Sequence, residues 1–264
     1  MKRFLLLLLG LTVVVPAFAQ DTKSEIERYR KMVAEGSPAE LFEIDGEALW
    51  KKPQGPASVS LEKCDLGEGP GVVKGAYARL PRYFKDADRV MDLETRLLYC
   101  MMTLQGRTRQ EATSRAFGNA DRPSEFESLS AYVASQSRGM KMRPGSGHPK
   151  EKAAYELGRA LYYHRAGPWD FSCTSCHGEE GKRIRMQPLP ALAKPEHART
   201  VVTTWPAYRI SNSQFITLQW RMNDCYRQMR MPEPVFGSEA TVALIMYVTE
   251  TGKGGTYAGP GNKR

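Results

Sequence analysis

Residues 173–177 read Cys173-Thr174-Ser175-Cys176-His177. Two thiols separated by two residues, with a histidine directly after the second, form the pattern of c-type haem attachment. The thiols make thioether bonds to the porphyrin and the imidazole ligates the iron. A redox dithiol needs no histidine there, and a zinc site would need a second Cys/His cluster that the neighbouring sequence does not offer. The motif therefore predicts one covalently bound haem c, with Cys173 and Cys176 as anchors and His177 as the proximal ligand.

The sequence on either side of the motif is helical in pattern. From Pro149 to Tyr163, apolar residues Ala153, Leu157, Ala160 and Leu161 fall at i, i+4, i+7 and i+8, one face of a helix. Downstream, Ser238 to Thr251 places Val242, Ile245, Met246 and Thr249 along one side and stops at Gly252. A helix running into C-x-x-C-H is similar to the N-terminal helix of a class I cytochrome c.

The chain also echoes itself. Gly158-Arg159-Ala160-Leu161-Tyr162, Gly167-Pro168 and Cys176 recur at one constant spacing as Gly46-Glu47-Ala48-Leu49-Trp50, Gly55-Pro56 and Cys64. Arg96-Leu97-Leu98-Tyr99-Cys100 then echoes Arg221-Met222-Asn223-Asp224-Cys225, and Tyr132-Val133 echoes Tyr247-Val248. Landmarks repeated in the same order predict a mainly α protein of two tandem cytochrome-c-like domains, 20–140 and 141–264. Ser124 to Ser135 is expected to close the first, and Ser137 to Gly147 reads as a linker containing Ser, Gly and Pro.

The same spacing lays Leu61 over Cys173, Cys64 over Cys176 and Asp65 over His177. One thiol survives and the imidazole does not, so the first domain is expected to lack haem. Cys64 and Cys100 then occupy the attachment and far-side positions of an absent cofactor. A disulfide between them would close that gap in an oxidising compartment.

Such a compartment is indicated by residues 1–19, which combine Lys2 and Arg3, an apolar run from Phe4 to Val15, and Ala17-Phe18-Ala19 as a cleavage site. Together they read as a signal peptide for export to a periplasm. The run is short of the roughly 20 apolar residues of a spanning helix, and no later stretch approaches that length. The formal net charge of +9 falls by two, to +7, when Lys2 and Arg3 leave with the signal peptide; such a balance either suits an anionic substrate or an acidic partner, or is the basic surface that many exported proteins carry without purpose. No nucleic-acid-binding motif accompanies it.

Cys225 remains unassigned by haem attachment or disulfide, an odd thiol in an exported chain. It lies where small cytochromes c place their second axial ligand, although Met222, Met229 and Met231 are alternatives by spacing. Arg221, Asp224, Arg227 and Arg230 surround it in sequence, and guanidinium groups are expected to lower its pKa and favour the thiolate. Arg221 is one helical turn before Cys225, on the same face. Arg227 and Arg230 either line the approach to the thiol or form a solvated basic face. Lys182, Arg183 and Arg185 either attract an anion or dock a partner, while Trp169 and Trp205 read as packing residues. His148, His164 and His197 read as surface or core histidines, His164 with metal binding as its alternative.

The run from Arg221 through Cys225 to Pro232 resembles the active-site segment of the SoxA family, cytochrome subunits of bacterial sulfur oxidation. Cys64-Asp65-Leu66-Gly67-Glu68-Gly69-Pro70-Gly71 and Leu80-Pro81-Arg82-Tyr83-Phe84 are similar to the same family. The resemblance implies an L-cysteine S-thiosulfotransferase of the single-haem type, paired with the small cytochrome SoxX. It implies oxidative joining of thiosulfate to a cysteine of the carrier SoxYZ, with electrons leaving through haem. Carried over by motif, Cys225 is distal iron ligand and nucleophile, found in the family as a persulfide, and Arg221 the cation beside it. The competing reading is a plain periplasmic electron-transfer cytochrome with a structural first domain, in which Met229 or Met231 is the distal ligand and Cys225 a buried thiol; a third is a haem-based sensor with an open or weakly held distal site.

Overall fold

Gly46 and Gly158, equivalent positions of the internal echo, sit at two helix crossings of the same design. A Cβ on Gly46 would fall 1.9 Å from the Ser128 carbonyl oxygen and 2.8 Å from the Tyr132 Cβ. On Gly158 it would fall 1.9 Å from the Ala243 carbonyl oxygen and 2.9 Å from the Tyr247 Cβ. Only glycine lets the two backbones approach this closely. In the computed structural model, residues 36–184 and 187–263 are described, with Ser24 and Arg28. The proposed signal peptide lies outside the described residues.

From Gly36 onward, the first half contributes α1 (Ala39–Lys51), α2 (Leu93–Thr103), α3 (Arg109–Thr113) and α4 (Glu125–Ser135). The second contributes α5 (Pro149–Tyr163), α6 (Cys173–His177), α7 (Pro195–Val202), α8 (Leu218–Gln228) and α9 (Glu239–Thr251). The glycine crossings join α1 to α4 and α5 to α9. The helices expected from periodicity begin at capping residues. Ser124 and Glu127 form a capping box on α4, His148 and Glu151 form one on α5 with Pro149 in its first turn, and Ser238 caps α9. Helix α9 is buried from Thr241 to Thr249, which is why its apolar residues extend around the whole helix.

Strands are short. β1 (Arg82–Phe84) pairs antiparallel with β2 (Arg89–Met91), and β3 (Arg183–Ile184) with β4 (Gln187–Pro188). β5 (Ala207–Arg209) lies between antiparallel β6 (Gln214–Ile216) and parallel β7 (Gly261–Lys263).

One cluster of buried side chains runs from Trp50, Leu61 and Leu97 in the first half to Tyr162, Leu244 and Tyr247 in the second. The two halves thus share a core, and buried polar bonds cross it. The Tyr77 hydroxyl donates to the Trp205 carbonyl at 2.9 Å, and Gln214 Nε2 donates to Glu127 at 3.0 Å. In the first half Leu61 is 1% exposed, and Cys64 forms a disulfide with Cys100 as expected, with their Cα atoms 5.7 Å apart. Trp205 is buried with Ala207 and Ile216 in a satellite cluster. Trp169, expected to pack, is half-exposed and carries the Arg230 guanidinium 5.9 Å from its ring centre. Among the described residues, no helix is long and apolar enough to cross a membrane.

Candidate haem and thiol site

Helix α6 is a single helical turn, so Cys173 and Cys176, at i and i+3, lie on one face with His177 directly following. Three contacts hold the turn. Ser172 N–H donates to Ser175 Oγ at 3.0 Å, the Tyr162 hydroxyl donates to the His177 carbonyl at 2.7 Å, and Lys182 Nζ donates to the Thr174 and Ser175 carbonyls. Lys182 therefore satisfies the carbonyl end of α6, where a cation is favoured. Arg183 is exposed on β3, and Arg185 lies outside the described residues.

The His177 ring is oriented by its Nδ1, 2.8 Å from the Pro190 carbonyl oxygen. A carbonyl can only accept, so Nδ1 carries the proton and Nε2 keeps a free lone pair. Burial lowers the pKa of His177 and favours the neutral form that ligates a metal. The Pro190–Ala191 peptide is itself held, because Ala191 N–H donates to His197 Nδ1 at 3.0 Å. His197 thus has a structural task that the sequence did not reveal.

Helix α8 begins at Thr217, whose hydroxyl accepts from Trp220 N–H, and carries Arg221 and Cys225 one turn apart. Asp224, with its side chain 10% exposed, collects Arg221 Nη1 at 2.6 Å, Arg227 Nη2 at 2.6 Å and Gln228 Nε2 at 2.7 Å. Arg227 is thereby an exposed partner of Asp224. The Cys225 thiol responds to Arg221, Asp224, Cys176 and Arg209, and the Cys173 thiol responds to Cys225 and Cys176. His177 in turn feels Arg221. Cys173, Cys176, His177, Arg221 and Cys225 are therefore brought together, with Arg209 added from strand β5.

One expectation is corrected here. Burial pushes the Cys225 pKa up, and Asp224 and Cys176 push the same way, outweighing the lowering by Arg221 and Arg209. Burial also raises Cys173, to about 12. Flanking cations do not by themselves make Cys225 a thiolate; coordination to a metal ion would.

The site's residues fit a c-type haem. They supply two thiols on one turn, an imidazole with Nε2 free, and a further thiol. Leu161, Leu192, Ala193, Met222 and Tyr226 are half-buried apolar neighbours packed on the core. Comparison with α2, the counterpart of α8, is informative. Along α2, Leu93 to Leu98, Cys100 and Met101 are buried, whereas along α8 only Gln219 is. Side chains and a disulfide fill the first half where the second presents donors and half-buried apolar groups.

Of the remaining candidates, Met229 is buried, and Met231 packs at Gly167. His148 caps α5 and stacks on Tyr83 with ring centres 3.7 Å apart, while His164 is exposed at the end of α5. Among the described residues, groups spaced to hold a metal ion are Glu180, Glu196 and His197, and His164 is not one of them.

A helical fold and an attachment motif with an oriented histidine are those of a c-type cytochrome, and the family model for the SoxA/TsdA cytochrome c domain matches residues 45–142. The L-cysteine S-thiosulfotransferase subunit SoxA of Hydrogenophilus thermoluteolus is 48% identical, over 98% of this chain and 97% of its own. That of Hydrogenobacter thermophilus is 37% identical over 98% and 97%. The crystal structure of SoxXA from P. pantotrophus shares the fold, with a TM-score of 0.72, 24% identity, and coverage of 90% of this chain and 84% of that one. The chain belongs to the SoxA family of L-cysteine S-thiosulfotransferase subunits.

Proposed function

We propose that this chain is the cytochrome subunit that couples thiosulfate oxidatively to a cysteine of a SoxYZ-type carrier, with Cys225 as the reacting thiol. The observation that carries the reading is the assembly of Cys225 and Arg221 beside Cys173, Cys176 and His177. Thiosulfate joins Cys225 Sγ in one sulfur–sulfur bond with release of two electrons, and the carrier thiolate then attacks the thiosulfate sulfur of that bond, so that the carrier cysteine is thiosulfonated and Cys225 leaves as a thiolate. Haem, when bound, supplies a one-electron acceptor. Its holders would be Cys173 and Cys176 through thioethers, His177 through Nε2 and Cys225 through Sγ. Arg221, with Nη1 on Asp224, offers the rest of its guanidinium fork to the sulfonate of the thiosulfate dianion and offsets repulsion between two anionic sulfurs.

Two electrons and one attachment motif call for a second haem, which a SoxX-type partner would provide; the complex named for the P. pantotrophus structure supports that reading. The tandem organisation, with domains 20–140 and 141–264 and haem only in the second, is supported by the matching glycine crossings. A cytochrome c domain match over residues 45–142, the half without the motif, supports it too. The signal-like residues 1–19 support export to the periplasm.

Mass spectrometry of the Cys225 peptide from purified protein tests the reading: a persulfide adds about 32 Da, one sulfur. In Cys225→Met, covalent haem is expected to remain, the potential to rise with loss of an anionic ligand, and sulfur transfer to vanish. A plain electron-transfer cytochrome would show an unmodified Cys225 and an unchanged spectrum in that variant.

A further inference from the structure

Helices α2 and α8 start in matching ways and cap one another. Asp92 caps α2 by accepting from Thr95 N–H at 2.9 Å, and Thr217 caps α8 by accepting from Trp220 N–H at 3.2 Å. The second residue of each helix then crosses to the other helix. Gln219 Nε2 donates to Asp92 Oδ1 at 3.0 Å and Oδ2 at 2.8 Å, with Thr95 Oγ1 at 3.0 Å. The Glu94 carboxyl lies against the Thr217 hydroxyl and the Gln219 N–H. Gln219 Oε1 meanwhile accepts from Gly237 N–H at 2.8 Å, tying in the segment before α9. All of these side chains are buried, Gln219 to 1% exposure.

From this arrangement we infer that Gln219 is a positioning residue. Through Asp92, the half without a haem motif sets the direction of the helix that carries Arg221 and Cys225. The inference rests on the reading of Cys225 given above. Its physical basis is that Gln219 is the one fully buried residue of α8, whose apolar residues Leu218, Met222 and Tyr226 pack on buried clusters while only half-buried themselves. Directional bonds in a buried network add to that packing at the start of the helix, and such groups are costly to leave unpaired. Cys225 lies six residues beyond Gln219, about 9 Å along the axis at 1.5 Å per residue. A tilt of about 10° at the anchor would carry the thiol about 1.5 Å sideways, and displacements of about 1 Å at a reacting group can cost about 100-fold in rate.

The test uses the full-length holoprotein with its cytochrome partner. Gln219→Leu preserves bulk and removes every side-chain bond. It is expected to keep covalent haem and helix content, shift the ferric haem spectrum and midpoint potential, and lower turnover of thiosulfate coupling by about 10- to 100-fold. The double variant Asp92→Asn with Gln219→Glu reverses donor and acceptor across the same contact, and should restore spectrum, potential and turnover. Should Gln219→Leu fail to accumulate, Gln219→Glu alone, which opposes two carboxylates, is compared with that double variant in its place. If the single variant matches wild type in all three readouts, or the double variant rescues none of them, the inference is overturned. Cys225→Met separates the two levels of argument. If it leaves the spectrum unchanged, the reading of Cys225 falls and the inference with it; if it changes the spectrum while Gln219→Leu does not, only the inference falls.

Discussion

Arg221 spends one nitrogen on Asp224 and keeps a planar fork, and this separates it from a lysine. Lysine would conserve the charge and lose the fork. Arg221→Lys should therefore retain haem and fold yet lose about 10- to 100-fold in thiosulfate coupling, the cost of one or two charge-assisted bonds. Steady-state kinetics decide it: an unchanged KM and turnover would remove Arg221 from the site. His197 acts at one remove, since its Nδ1 holds the peptide whose carbonyl accepts from His177. If His177 ligates the iron as proposed, His197→Ala should loosen that bond, leave the imidazole a poorer donor to iron and raise the haem potential, with His197→Asn restoring the acceptor. Spectroelectrochemical titration of the three proteins reads the shift, and equal potentials would confine His197 to packing.

Helix crossings and the disulfide give the elements their own tests. Gly46→Ala and Gly158→Ala each drive a methyl to within 1.9 Å of a carbonyl oxygen across a crossing. Each should destabilise by about 3 kcal/mol, the upper end of the cost of overpacking, in chemical denaturation. Gly147→Ala is the control, because nothing lies within 4 Å of the added Cβ, and it should change stability by less than about 0.5 kcal/mol. A mild effect at both crossings would mean that the helices slide apart freely. The Cys64–Cys100 bridge spans 36 positions, and its reduction should cost about 3–4 kcal/mol through the released chain entropy. The haem spectrum should survive reduction, since Cys64 and Cys100 pack in the first half.

At the scale of the whole molecule, charge buried between the halves matters more than surface ion pairs. Glu127 is 1% exposed and receives Ser124 N–H, Gly118 N–H and Gln214 Nε2, the last from strand β6 of the other half. Burial raises its pKa to about 7. A folded state that holds the proton more tightly than the unfolded chain is favoured below the ordinary carboxyl range, and loses that advantage as pH rises to 7. Between about pH 4.5 and 7, the stability of Glu127→Gln relative to wild type should therefore climb by up to about 1.4 kcal/mol per pH unit, then level off. Thermal denaturation across that range measures it, and a difference that falls with pH would refute the assignment.

What the sequence determined by itself was whatever rests on neighbours along the chain. The C-x-x-C-H motif, the Arg221–Cys225 turn and the helices ending at Tyr163 and Thr251 are local patterns of covalent chemistry or helical period. The disulfide followed from the internal echo, which left Cys64 and Cys100 at matching sites without a histidine. Tertiary structure alone decided the rest. The charge of Arg209 acts on Cys225 from a separate hairpin, His197 supports His177 through a backbone peptide, and Gln219 finds Asp92 across the shared core. It also decided which way the Cys225 pKa moves: a run of arginines pulls it down, but desolvation, which depends on what the fold buries, pushes it up.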